Sequence, residues 1–196
     1  MAAPRGRPRS FDRDHALERV MEVFWAKGYE GAQLNDLIAA IGVTPPSFYA
    51  AFGSKEAAFC EAVDLYMNTV GARSRAALDN AATAKEALRD MLRVSVDVSL
   101  SAKPGGCLLI LGVVNCLPGN ETARDHLLAA RRKTVKVIVS RLKRGIREGD
   151  LPPDTNIHDL ANFFHGVVQA ISFQARDGAT RRQLEALIEP ALATLP

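Results

Sequence analysis

Apolar residues return every three or four positions along almost the whole chain, and this spacing predicts one helix after another. Leu17, Val20, Met21 and Phe24 fall at i, i+3, i+4 and i+7, one face of a first helix that Asp12 caps and Gly28 ends. Leu34, Leu37, Ile38 and Ile41 repeat the pattern in a short second helix, and Gly42 breaks it. A third short helix has Thr44 as N-cap, Pro45 where a missing N–H costs nothing, and Gly53 just past its end. Ser54 caps a fourth, with the stripe Phe59, Ala62, Val63, Tyr66, Met67 and Val70. Thr83 and Glu86 form a capping box for a fifth. Pro104-Gly105-Gly106 and Pro118-Gly119-Asn120 bracket a compact apolar sixth over residues 107–117, and Asn120 opens a long seventh that stops near Gly149. Leu151-Pro152-Pro153 is a rigid connector to an eighth helix over residues 155–175. After the Asp177-Gly178 turn, Thr180 and Gln183 cap a ninth. Nowhere do β-branched residues alternate between hairpin turns, so the expected class is all-α with about nine helices.

The 196 residues suit one large or two small domains, and with 47% hydrophobic residues they build a real core. Cys60, Cys107 and Cys116 are odd in number and lack CxxC spacing, which suits free thiols in a reducing cytoplasm. The basic start of the chain has no apolar stretch behind it, so no secretory signal is expected. The longest apolar run, residues 107–117, falls far short of the roughly 18 residues of a membrane span. The expectation is a soluble cytoplasmic protein with no membrane partner. A net charge of +3 neither demands nor excludes nucleic acid, so the local chemistry has to decide.

That chemistry lies in the second and third helices, two short elements joined by a glycine-containing turn, the layout of a helix-turn-helix. Phe48 and Phe52, at i and i+4, can both face a core, which turns Tyr49 outward beside Ser47, Ala50 and Ala51. An outward tyrosine among small residues suits a helix that enters a groove and hydrogen-bonds a phosphate. Lys55 in the first turn of the fourth helix opposes the helix dipole; it is either a solvated surface lysine or a phosphate contact assisted by N–H groups at that helix start. The stretches Gly28-Tyr29-Glu30-Gly31, Asp36-Leu37-Ile38-Ala39-Ala40-Ile41-Gly42-Val43 and Ser47-Phe48-Tyr49-Ala50-Ala51-Phe52-Gly53-Ser54-Lys55-Glu56 resemble the DNA-binding domain of TetR/AcrR-type regulators over about residues 10–60. The chain departs from that pattern with Gln33 in place of Thr or Ser, Pro46 in place of Gly, and Ala51 where a large polar residue is common. The resemblance implies a DNA-binding domain over residues 1–55 and an effector-binding, dimerisation domain over 56–196. It implies a homodimer on double-stranded operator DNA, a repressor released by a small, largely apolar effector. The expected DNA-facing residues are Gln33, Asn35, Thr44, Pro45, Pro46, Ser47, Tyr49 and Lys55.

Ahead of the first helix, Arg5-Gly6-Arg7-Pro8-Arg9 looks like the core of an AT-hook, and Arg5, Arg7 and Arg9 are expected in an A·T-rich minor groove. The ninth helix carries Leu184, Leu187, Ile188 and Leu192, and the eighth Phe164, Val167, Val168 and Ile171. Faces so apolar are either monomer core or, as the resemblance implies, a two-fold interface. The sixth helix is apolar nearly all round and hence central; Cys107, Ile110, Leu111 and Asn115 there, with Phe163, are the expected effector pocket. Other chemistry finds little support. Cys107 and Cys116, nine residues apart, cannot chelate together from one helix, so neither metal nor cofactor is expected. Ser140-Arg141-Leu142-Lys143 matches S-x-x-K without companion elements, on a helix crowded with basic residues, so no enzyme is expected. The remaining alternative is an architectural DNA binder without sequence preference.

Overall fold

The computed structural model describes residues 12–103 and 105–196. Among them every regular element is a helix: α1 (Arg13–Gly31), α2 (Leu34–Ile41), α3 (Pro45–Phe52), α4 (Lys55–Asn68), α5 (Val70–Asn80), α6 (Ala84–Ser101), α7 (Leu108–Leu111), α8 (Glu121–Glu148), α9 (Ile157–Arg176), α10 (Arg181–Glu185) and α11 (Ile188–Leu192). These segments amount to nine runs, because α4 and α5 share the boundary residue Thr69, and Ala186 and Leu187 between α10 and α11 keep helical angles.

Local chemistry sets the boundaries. Asp12 accepts from the Asp14 and His15 N–H groups at 3.1 Å, and Ser54 from Ala57 N–H at 2.9 Å. The capping boxes at Thr83 and Thr180 both form. Gly28, at φ 68° and ψ 175°, ends the regular part of α1; a Cβ there would meet the Gly112 carbonyl oxygen at 3.2 Å, so only glycine suits both the turn and the close approach.

Helix α1 packs on α2 and α4, α6 on α5 and α9, and α8 on α4 and α9. One apolar cluster runs from Val20, Phe24, Leu37, Phe48 and Phe52 through Phe59 and Tyr66 to Leu108 and Leu127. It therefore crosses the expected boundary after residue 55, and α4 belongs to both halves. A second cluster holds Leu88, Leu92, Ile138, Leu142, Phe164, Ile171 and Leu184.

Three elements differ from the sequence reading. The sixth helix is the short α7, not residues 107–117. The Gly112 carbonyl accepts the Tyr29 N–H at 2.7 Å, which takes the chain out of the helix and leaves Val114, Asn115 and Leu117 exposed. The fourth helix stops at Thr69, where φ −110° and ψ −81° break the ladder and the Thr69 hydroxyl bonds the Leu65 carbonyl at 2.8 Å. The ninth helix is interrupted as α10 and α11.

Candidate nucleic-acid interface and effector cavity

Helices α2 and α3 form the expected helix-turn-helix, with Gly42 in the left-handed region between them. Phe48 and Phe52 are buried and pack at 5.2 Å between ring centroids. They pin α3 from beneath, so Thr44, Pro45, Pro46, Ser47 and Ala50 are exposed and Tyr49 is 49% exposed. Gln33 and Asn35 at the start of α2 are exposed on the same head, and the Asp36 carboxylate takes the Gln33 N–H at 2.9 Å. Arg5, Arg7 and Arg9 lie outside the described residues.

Lys55 is neither freely solvated nor buried. Its Nζ stands 4.4 Å from the centre of the Tyr29 ring, and burial pushes its pKa down against the opposing pull of Glu30. Tyr29 packs on Phe24 and Phe59, so the cation rests on a fixed aromatic platform at the start of α4. Arg13, unremarked in the sequence, ties the start of α1 to the end of α3. It bonds Glu61 at 2.6 Å and the Ala51 carbonyl at 3.1 Å, and lies over the Phe52 ring.

The far end of α1 is bonded to the segment between α6 and α8. Trp25 Nε1–H donates to the Gly106 carbonyl at 2.7 Å, and Tyr29 N–H to that of Gly112. The Glu30 carboxylate accepts from Leu117 N–H at 2.8 Å and from Asn120 Nδ2 at 3.0 Å. From α9, Arg176 reaches the carbonyls of Gly105 at 2.5 Å, Ala26 at 3.0 Å and Trp25 at 3.2 Å. The last two oxygens are the orphan acceptors at the end of a helix, and a guanidinium suits them by charge and geometry.

Between α4, α5, α6, α7, α8 and α9 lies a cavity of about 720 Å³. Met67, Leu78, Met91, Val98, Leu109 and Ile110 form much of its wall. Its rim carries Asp64 and His126, joined at 3.0 Å, together with Arg75 and Lys133. Of the five expected pocket residues, Cys107 and Ile110 line this cavity. Leu111, Asn115 and Phe163 do not: Asn115 stands in an exposed turn, and Phe163 is 43% exposed on α9. Tyr66, which the sequence places only in an apolar stripe, and His165, a side chain the sequence allows either to line a cavity or simply to pack, are both lining residues.

The stripes read as a dimer interface are placed differently. Phe164, Ile171, Leu184, Ile188 and Leu192 are buried in the protomer's own core and present no surface to a partner, while Val167, Val168 and Leu187 are half-buried against that core. Phe163, Gly166, Ala170 and Phe173 point away from it, since at about 100° per residue they fall opposite Ala161, His165 and Ser172, and Val167 stands at the edge between the two faces. Val168 lines the cavity. No group of side chains able to hold a metal occurs among the described residues.

A helix-turn-helix head on a larger helical domain, with a cavity between helices that also touch the head, defines a class of DNA-binding regulators that join a reading head to a cavity-bearing helical body. The chain matches the description "Bacterial regulatory proteins, tetR family" over residues 17–62 and "Tetracyclin repressor-like, C-terminal domain" over residues 84–191. It belongs to the TetR family and is a DNA-binding transcription regulator, not an enzyme. It is 32% identical over 193 residues to the HTH-type transcriptional repressor ComR of Escherichia coli (strain K12), covering 97% of this chain and 90% of that protein. A cysteine mutant of the TetR family transcriptional regulator CifR, complexed with 26-bp double-strand operator DNA, superposes with a TM-score of 0.93. That similarity is at 44% identity and covers 97% of this chain and 100% of CifR. The uncharacterized HTH-type regulator YezE of Bacillus subtilis (strain 168) is 27% identical over 97% of this chain and 99% of its own length.

Proposed function

We propose that the protein is a homodimeric cytoplasmic repressor that reads an operator through α3 and leaves it when a small, largely apolar molecule fills the cavity. The observation that carries this is the split of α3. Phe48 and Phe52 hold one face in the core, and the other presents Thr44, Pro45, Pro46, Ser47 and Tyr49, small or slender groups that let a helix sit close to base edges. Two protomers place their α3 helices in successive major grooves, about one turn or roughly 34 Å apart. Tyr49 and Lys55 take phosphates and fix register; Gln33, Asn35 and Ser47 meet base edges or the adjoining backbone. Arg5, Arg7 and Arg9 precede this head and reach the flanking minor groove. The outward face of α9, Phe163, Gly166, Ala170 and Phe173, with Val167 at its edge, is the dimer interface, joined by Leu128, Val135 and Val139 on the flank of α8. These are side chains that the protomer leaves partly or largely uncovered. An occupant of the cavity presses on α4 and α7, both of which touch the reading head, and the head moves as a body.

The test is selection of operator DNA from a random pool by the full-length protein. One enriched two-fold site is expected. Asn35→Ala and Ser47→Ala should each relax a defined position at a cost of about 1–3 kcal/mol for the matched base pair. A pool that stays random, with binding set by length alone, would overturn the reading in favour of an architectural DNA binder.

A further inference from the structure

Among the polar side chains of the cavity wall, Ser95 and Thr134 give their hydroxyls to the Met91 and Ala130 carbonyls, whereas Tyr66 meets a sulfur. Tyr66 is 2% exposed, yet it lines the cavity, as does Cys107 beside its hydroxyl. Its Oη lies 3.1 Å from Cys107 Sγ. If the phenol donates to the sulfur, it donates to a weak acceptor; if the thiol donates, the phenol hydrogen has no partner there. In both cases a buried phenol donor is left with nothing better than sulfur, an arrangement that an incoming oxygen improves.

Charge is absent from the same wall. Burial holds the Tyr66 phenol well above its usual range and pushes the Cys107 thiol up, so both keep their protons. Burial and the Arg131 charge push the His165 imidazole down, towards the neutral form. The Arg131 guanidinium is itself spent on the Leu109 and Ile110 carbonyls, at 2.5 and 2.6 Å. The charged side chains of the cavity, Asp64, Arg75 and Lys133, are exposed and stand at its rim. A charged ligand moving inward would shed its hydration and find no ionised side chain lining that wall, and the nearby Arg131 has its guanidinium N–H groups turned to the backbone.

We propose that this inner wall takes an uncharged, chiefly apolar molecule through one oxygen acceptor, a carbonyl, ether or hydroxyl, and that the Tyr66 hydroxyl is the donor it meets. The proposal rests on the effector reading above and gives that effector its chemistry. It also gives the signal a starting point. The Tyr66 ring meets Trp25 of α1 edge to face at 4.9 Å, and Trp25 is bonded to Gly106, next to Cys107. A ligand that draws the hydroxyl away from Cys107 acts on both neighbours of Trp25.

The experiment uses four probes of one shape on the full-length protein: 4-phenylbutan-2-one, butylbenzene, 3-phenylpropanoate and 3-phenylpropylamine. Binding is read by calorimetry, and release from the selected operator by fluorescence anisotropy. The ketone should bind best and the two ions worst. Tyr66→Phe should weaken the ketone by roughly 2- to 12-fold and leave butylbenzene unchanged, since only the oxygen uses the lost hydroxyl. Cys107→Ala removes the competing sulfur and should keep or raise ketone affinity. Tighter binding of either ion, or no ketone binding up to about 1 mM, would overturn the uncharged class. Equal ketone affinity in wild type and Tyr66→Phe would overturn the role of the hydroxyl. A loss in Cys107→Ala as large as in Tyr66→Phe would make the sulfur the contact and overturn that role too. Ketone that binds through Tyr66 without releasing DNA would sink the effector reading alone and leave the site standing.

Discussion

At the scale of single residues, the reading helix is governed by which way three aromatic rings point. Tyr49 is half exposed while Phe48 beside it is fully buried, so removing the Tyr49 hydroxyl touches no core contact. Tyr49→Phe should leave the melting temperature unchanged and cost about 0.5–1.5 kcal/mol of operator affinity, read by anisotropy titration. Lys55 behaves differently, because its ammonium rests on the Tyr29 ring. Lys55→Ala should weaken all DNA sequences alike and flatten the salt dependence by about one phosphate. It should also cost roughly 0.5–1 kcal/mol of stability through the lost ring contact. A mutant that melts like wild type but has an unchanged salt slope would place Lys55 outside the interface. The inward turn of Phe48 and Phe52 was legible from their i, i+4 spacing. The platform under Lys55 was not, because Tyr29 and Lys55 are brought together by folding and carry no shared period.

At the scale of elements, caps were legible and long-range backbone partners were not. Ser54, Thr83 and Thr180 bond groups three residues away, so sequence alone places them. The end of α7 depends on the Gly112 carbonyl meeting Tyr29, 83 positions earlier in the chain by the difference of the two numbers, and apolar composition extended that helix too far. Basic residues on α8 misled in the same way. Of the basic residues that crowd this helix, Arg132, Lys133 and Lys136 are exposed, yet Arg131 serves the Leu109 and Ile110 carbonyls and Arg144 those of Asp79 and Ala81. Glu30 shows what such ties contribute. Burial pushes its carboxyl pKa up, but Leu117 N–H, Asn120 and the Lys55 charge outweigh that and hold it below the ordinary value. Its bonds are therefore in full force above the unfolded pKa, about 4.3, and are lost as pH falls through the lower folded value. Glu30→Gln should melt roughly 2–4 °C below wild type at neutral pH, for about 1 kcal/mol of charge-assisted bonding. The gap should close as calorimetric scans are taken below about pH 4. A gap that persists there would mean that the Glu30 charge is not what holds the segment.

At the scale of the whole molecule, α9 has two apolar faces, and the proposed dimer gives them separate roles. The inward one completes the protomer's core, and the outward one, with Gly166 and Ala170 one turn apart, allows another helix to approach closely. Ala170→Arg should give monomers in analytical ultracentrifugation, an unchanged circular dichroism spectrum and a collapse of operator affinity, since an unpaired cation in an interface costs several kcal/mol. Leu187→Glu, on a side chain half-buried against the protomer's core, should instead lower the melting temperature. A stable, fully dimeric Ala170→Arg protein would move the interface to another face. That α9 is apolar was plain in the sequence; which of its faces the protomer itself buries was not, because both carry large side chains at helical spacing.

Gly28 gives these parts a common mechanics. It is the one break in α1, and the helix ahead of it is a rigid arm of about 22 Å whose tip, Arg13, is fastened to Ala51, Phe52 and Glu61. With Gly28 as fulcrum, a swing of about 5° carries that tip some 2 Å, and the end of α3 travels with it. Two-fold symmetry doubles the change between the paired arms to roughly 4 Å, a little more than the ~3.4 Å that separates neighbouring base pairs. A disturbance too small to notice at the Trp25 end of the arm thus amounts, at the DNA, to a slip of one rung.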